Sequence, residues 1–206
     1  MNTLNYCTTM MRNLYLLHGI HARANNEHTG LFKAHFPNAQ KRDYGHIMSF
    51  QALWVNRALA ESLADEINDR GESIILGHSN GCAIASRVAE LSPNVIGLVM
   101  INAALDSFWE PPSTLKWMLV YYHPKDIAVK LAKIIPFTRW GDMGAVGAKS
   151  ISTNTVINNY NLDNWGYAYH GLAGAHNIVW QKFQYYGPII TRHIHEIQRE
   201  VKNYET

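Results

Sequence analysis

The sequence predicts an α/β architecture: a mostly parallel central sheet flanked by helices, in a single domain over residues 1–206. Three observations carry this. Short apolar runs of strand length alternate with longer segments of helical periodicity along most of the chain. The segment Ser73-Ile-Ile-Leu-Gly-His-Ser-Asn-Gly-Cys-Ala83 leads from an apolar run into a helical one across two closely spaced glycines. Finally, 206 residues with 47% hydrophobic and 17% charged side chains are enough for one substantial core and too apolar for a disordered chain.

The elements follow in order. Asn13 to Leu17 is a short apolar run closed by His18-Gly19 and predicts a buried strand. Gly30 to His35 predicts a short helix, and Lys41 to Tyr44 another strand, closed by Gly45. Phe50 to Asp69 is an amphipathic helix, with Val55, Leu59, Leu63 and Ile67 along one face and Arg70-Gly71 as its stop. Ser73 to Leu76 is a second buried strand. Asn80 to Leu91 is helical, with Ile84, Val88 and Leu91 on one side and Pro93 beyond its end. Val95 to Ile101 and Lys116 to Tyr122 are further strands, and a helix opens near Asp126 and runs to about Ile134.

From 137 to 170 the periodicity dissolves. Gly141, Gly144 and Gly147 are closely spaced, and Ser, Thr and Asn follow. This predicts a long loop or insertion with short helical turns. An insertion there overhangs whatever site lies before the C-terminal helices, and its Trp165, Tyr167 and Tyr169 serve packing or a substrate pocket. Ile178 to Tyr185 is helical, and Pro188 suits the first turn of a final helix with Ile190, Ile194, Ile197 and Val201 as its stripe.

Several function classes are disfavoured by composition. A formal charge of +2 with no run of Lys or Arg gives no footprint for nucleic acid. No apolar stretch reaches the roughly eighteen residues of a membrane span. Met1 to Thr9 lacks the pattern of a signal peptide, and Cys7 and Cys82 make no metal spacing; two free thiols in the cytoplasm is the expectation. No metal or other cofactor is expected. His18 and His21 have no acidic or cysteine pattern beside them. His193 and His195, two apart on a helix, point to different faces and are expected as solvated surface histidines.

The segment Gly77-His78-Ser79-Asn80-Gly81 has the form G-x-S-x-G between a strand and a helix. Chemistry needs this spacing for a steric reason. A serine on a sharp, strained turn is presented outward, and the flanking glycines let strand and helix approach closely. In a parallel sheet ligands bind beyond the carboxyl ends of the strands. The chemistry is therefore expected in the loops after Leu17, Leu76, Ile101 and Tyr122.

The run Leu14-Tyr-Leu-Leu-His-Gly-Ile-His21, then Gly77-His-Ser-Asn-Gly81, then a late Asp and a late His, resembles the α/β-hydrolase superfamily in element order from about Asn13 to Val201. The resemblance implies that fold, in a minimal form, and a serine esterase or lipase-like activity. It implies Ser79 as nucleophile and an oxyanion hole at the turn after His18-Gly19, from the backbone N–H groups of Ile20 and Asn80. Arg42-Asp-Tyr-Gly45 also looks like a family segment, of structural use. The acid belongs near the carboxyl end of a strand. Asp126 fits, opening a helix just after the Lys116 to Tyr122 strand, with Asp106 as the alternative; capping that helix is the competing role for Asp126. The base belongs in a loop before the last helices. His176 fits, following the small-residue run Gly171 to Ala175, with His170 as the alternative. Fifty positions separate Asp126 from His176, more than the family's usual spacing, and 137 to 170 fill them. The stretch from Asn102 to Leu115 is too short for a full helical cap, so an open site is expected. The function expected is hydrolysis of a small or short-acyl carboxylic ester through a Ser-His-Asp triad. A thioesterase, an amidase or a non-catalytic binding protein of the same fold are the alternatives.

Overall fold

A computed structural model describes residues 13–20, 28–44, 51–135, 140–166 and 174–204. Six strands among them form one parallel sheet: β1 (Leu14–Leu17), β2 (Gln40–Arg42), β3 (Ser73–His78), β4 (Val95–Ile101), β5 (Trp117–Tyr122) and β6 (Val156–Asn161). Their order is β2-β1-β3-β4-β5-β6. The described helices are α1 (Ala52–Arg70), α2 (Asn80–Leu91), α3 (Ile127–Ala132), α4 (Met143–Val146), α5 (Ile178–Gln181) and α6 (Phe183–Tyr204), with 3-10 turns at Thr29–Ala34 and Leu162–Trp165. No described helix is long and apolar enough to cross a membrane.

Alternation along the strands sorts the core into two layers, because successive side chains point to opposite faces of a sheet. Tyr15, Leu17, Ile75, Leu98, Met100, Met118 and Val120 face α1 and α2, meeting Leu63, Ile67, Ile84 and Val88. Leu14, Leu16, Ile74, Leu76, Val99, Ile101, Leu119 and Tyr121 face the other way, onto Phe32 and the α6 stripe Ile190, Ile194 and Ile197. A parallel sheet covered on both faces needs apolar residues at every position, which is why these strands read as unbroken apolar runs. Helix α2 is buried almost all round. Its Asn, Gly, Cys, Ala and Ser residues are small enough to lie between β3 and α1.

Three expectations are corrected. The region 137–170 is not a plain loop: its described part, 140–166, holds α4, β6 and a 3-10 turn, and β6 pairs in register along β5 from Trp117↔Val156 to Tyr122↔Asn161. As an edge strand it is half-buried to exposed. Its Asn158, Asn159 and Asn161 therefore sit where solvent tolerates them, and the apolar signal is lost. Pro188 lies inside α6 rather than in its first turn; the ring of Phe183 covers Gly187, where a Cβ would come within 2.7 Å. Leu91, placed on one side of α2 with Ile84 and Val88, is exposed at the end of the helix while those two are buried.

The chain runs outward from β1 to β2, then returns to place β3 on the far side of β1. The direction of winding reverses between β1 and β3, and the crevice beyond their carboxyl ends is where this architecture opens a site. The loops carrying Gly19 and Ser79 leave the sheet at that point.

Candidate active site

Ser79 takes φ 54° and ψ −121°, one of two described non-glycine residues with positive φ. Such a conformation costs about 1–3 kcal/mol and persists only where the surroundings enforce it. Its N–H donates to Ile101 O at 3.0 Å, and its carbonyl accepts from Cys82 N at 3.0 Å and Ala104 N at 3.2 Å. The glycines on either side make the turn possible. A Cβ on Gly77 would stand 2.8 Å from Cys82 N, and one on Gly81 only 2.6 Å from Leu17 O and 2.7 Å from His18 O. Gly19 lies against the serine itself, at 3.1 Å from Ser79 Cβ and 3.5 Å from its Oγ to where its own Cβ would be.

Asp126 and His176, fifty residues apart in sequence, meet through a 2.8 Å hydrogen bond from His176 Nδ1 to Asp126 Oδ2. Asp126 is fully buried, and the His176 side chain is 12% exposed. An imidazole Nδ1 facing a carboxylate carries the proton, which leaves Nε2 as an acceptor. The carboxylate is also saturated elsewhere. Its Oδ1 accepts from Val129 N at 3.2 Å and so caps α3, while Oδ2 accepts a second bond from Asn102 Nδ2 at 2.9 Å. Capping and holding the imidazole, competing roles in the sequence, are both filled, one by each oxygen. Asp106, the alternative acid, is exposed and accepts from Phe108 N within its own turn. His170, the alternative base, lies outside the described residues, as do His21, Tyr167 and Tyr169.

His78 connects the serine turn to the histidine loop. Its Nε2 lies 3.2 Å from the backbone carbonyl of His176, and the two rings are 4.9 Å apart. Burial, with the neighbouring His176 second, holds the His78 pKa well below the usual imidazole range. The ring is therefore neutral, and its one proton sits on Nε2, donated to that carbonyl. Trp180 packs edge-on to His78 and stacks on His28. The three rings pack together around His78, the residue before Ser79.

The two expected oxyanion donors belong to Asn80 and Ile20. Asn80 opens α2, so its N–H has no partner four residues back within the helix. Its side chain is fixed by a reciprocal amide pair with Asn56, 2.6 and 2.9 Å, and by Trp140 Nε1 donating to Oδ1 at 2.8 Å. Ile20 follows the His18-Gly19 turn and packs against the apolar cluster that includes Ala52, Ala83, Val129 and Trp140. His18 is buried. Its Nδ1 lies 2.8 Å from Gly19 O, its ring stacks on Tyr44, and the Tyr44 hydroxyl donates to His18 O. Burial lowers its pKa.

Part of the 137–170 region thus reaches the serine turn, through Trp140. Trp165 does not. It packs on Tyr186, Tyr121 and His193 under α6. His193 itself is half-buried between Tyr121 and Tyr160, not a solvated surface residue, because β6 brings Tyr160 over it. Among the described residues no three His, Cys, Asp or Glu side chains are grouped to hold a metal ion. Sequence reasoning missed Asn102, Asn56 and Trp140. The only sequence signal for Asn102 was its place directly after an apolar strand.

No family model matches the sequence, and no curated protein matches it. Solved structures do. A protein from Xanthomonas campestris pv. campestris, described as a hydrolase of the α/β superfamily, is 12% identical, with 89% of this chain and 98% of that chain covered and a TM-score of 0.53. The monoacylglycerol lipase of Paleococcus ferrophilus is 14% identical over 92% and 94% of the two chains, at a TM-score of 0.45. An extracellular α/β-hydrolase from a Paenibacillus species is 21% identical over 44% of this chain, at a TM-score of 0.35; the match spans 40% of that protein's length. The first of these extends over nearly the whole of both chains with the same parallel architecture, and this chain has the α/β-hydrolase fold.

Proposed function

We propose that the protein is a serine hydrolase acting on carboxylic esters, small or short in the acyl part, through Ser79, His176 and Asp126. The observation that supports this best is the buried Asp126–His176 hydrogen bond, joined through His78 to a strained serine turn at the reversal point of the sheet. Ser79 Oγ attacks the ester carbonyl while His176 Nε2 takes its proton. The oxyanion that forms is held by the N–H groups of Ile20 and Asn80, donors of a kind that lower a barrier by about 3 kcal/mol each. The tetrahedral intermediate collapses, and His176 returns the proton to the leaving alcohol. Water then repeats the sequence on the acyl-enzyme, and Asp126 keeps the imidazole in the productive tautomer throughout. Residues 102–116 form no helix over the site. That fits an open entrance, and the Trp180, His28 and His78 ring cluster next to Ser79 in the chain fits an uncharged substrate.

Labelling by a fluorophosphonate and turnover of p-nitrophenyl acetate test the proposal. Native protein is expected to label at one serine and to turn the ester over without any effect of chelator. Ser79→Ala is expected to lose labelling and all but about a thousandth of the turnover or less. Folded native protein that does not label, or Ser79→Ala with full turnover, overturns it.

A further inference from the structure

Asn102 is the first residue after β4, and with Ser79 it is one of two described non-glycine residues at positive φ, here 47°. It is fully buried. Its N–H still donates to Tyr121 O at 2.9 Å, so it stays anchored to the sheet. Gly144 presses on its backbone from α4: a Cβ there would stand 2.5 Å from Asn102 C and 2.6 Å from Ala103 N. The left-handed turn is thereby held, and Asn tolerates it better than any other side chain of its size.

The turn aims the amide. Asn102 Nδ2 lies 2.9 Å from Asp126 Oδ2 and 3.4 Å from Ala175 O, the carbonyl just before His176. Both amide protons are therefore used, one on the acid and one on the backbone of the loop that carries the base. Which way round the amide lies follows from these partners. Turned over, it would set its oxygen against a carboxylate oxygen and a carbonyl, with no proton between them. A single buried side chain just after β4 thus ties together two groups that come from the start of α3 and from the loop before α5.

Resting on the triad proposed above, we infer that Asn102 is a positioning residue: it sets the Asp126 carboxylate and the His176 loop in one register, so that the imidazole points at Ser79. A strained left-handed residue whose side chain bonds only its own turn would be structural; this one gives one proton to the acid and the other to the Ala175 carbonyl, next to the base.

Asn102→Gly and Asn102→Asp both tolerate φ 47°, so they change the side chain while keeping the turn. Two readouts on the full chain test the inference: ester kinetics across pH, and the NMR titration of the His176 ring. Asn102→Gly is expected to lower kcat by about tenfold to a hundredfold with KM within about twofold, the fold-change for one hydrogen bond to a charged group. Asn102→Asp is expected to move the acid limb of kcat/KM, and the His176 titration, to higher pH. Two carboxylates and an imidazole hold a proton more tightly than one carboxylate and an imidazole do. Folded Asn102→Gly with native kcat, or Asn102→Asp with an unmoved His176 titration, overturns the inference. So does failure of both variants to fold, which would make the residue structural. The titration decides even if Ser79 proves inactive, whereas loss of turnover in Asp126→Asn with no effect at Asn102 sinks this inference alone and leaves the triad standing.

Discussion

Asp126 shows how much one side chain is asked to do. One oxygen closes the first turn of α3, and the other faces His176 and Asn102. These duties separate by mutation. Asp126→Asn retains a capping acceptor, but it removes the charge and places an amide where the imidazole needs an acceptor. It is expected to lower kcat by about 10⁴ with little change in the urea midpoint. Asp126→Ala loses the cap as well, and is expected to cost a further ~0.5–2 kcal/mol of stability in the same unfolding measurement. Equal stability of the two variants would show that the bond to Val129 N contributes nothing.

At the scale of elements, the site depends on how closely α2 approaches β1. Gly81 lies in the first turn of α2, where alanine would ordinarily favour a helix by about 1 kcal/mol. Its neighbours reverse that sign. The atoms within 2.6–2.9 Å of an added Cβ are the main chain of Leu17 and His18, which has no rotamer to escape into. Gly81→Ala is expected to destabilise by about 1–3 kcal/mol, and to slow ester turnover by displacing the turn that carries Ile20. A melting temperature at or above that of the native protein would contradict this. Much of this element scale was legible in the sequence. The strands of the centre announce themselves because both faces are buried and every position is apolar. Strand β6 does not, because an edge strand with one neighbour carries asparagines that blur any period. For the same reason residues 137–170, between Asp126 and His176, looked like an insertion, although their described part contains a strand of the sheet.

Over the whole molecule, histidine burial sets the expected response to acid. Burial lowers the pKa of His18, His78, His123 and His193. The unfolded chain therefore takes up these protons first as pH falls, from about 6.5. The stability linked to them is complete above that value and is lost as pH falls through it toward the folded-state pKa values. The melting temperature is expected to be flat from pH 8 to 7 and to drop between pH 6.5 and 5, seen by calorimetry in a buffer series. An unchanged melting temperature down to pH 5 would mean that these rings are solvated.

The sequence by itself determined the layered α/β architecture, the serine turn and the strand ends after which chemistry was to be sought. These are local properties: an apolar run, a helical period and glycines at a fixed spacing are all written within about a dozen residues. Only the tertiary structure decided which acid faces which base. Asp106 and Asp126 both follow strands, but distance in the fold, not in the chain, puts Asp126 against His176 and leaves Asp106 in solvent. It also brought in Asn102, Asn56 and Trp140, whose partners lie 24 to 73 residues away. No local pattern encodes a hydrogen bond between groups so far apart in sequence. Parallel pairing of strands supplies the juxtaposition, and the buried donors it gathers then find acceptors across it.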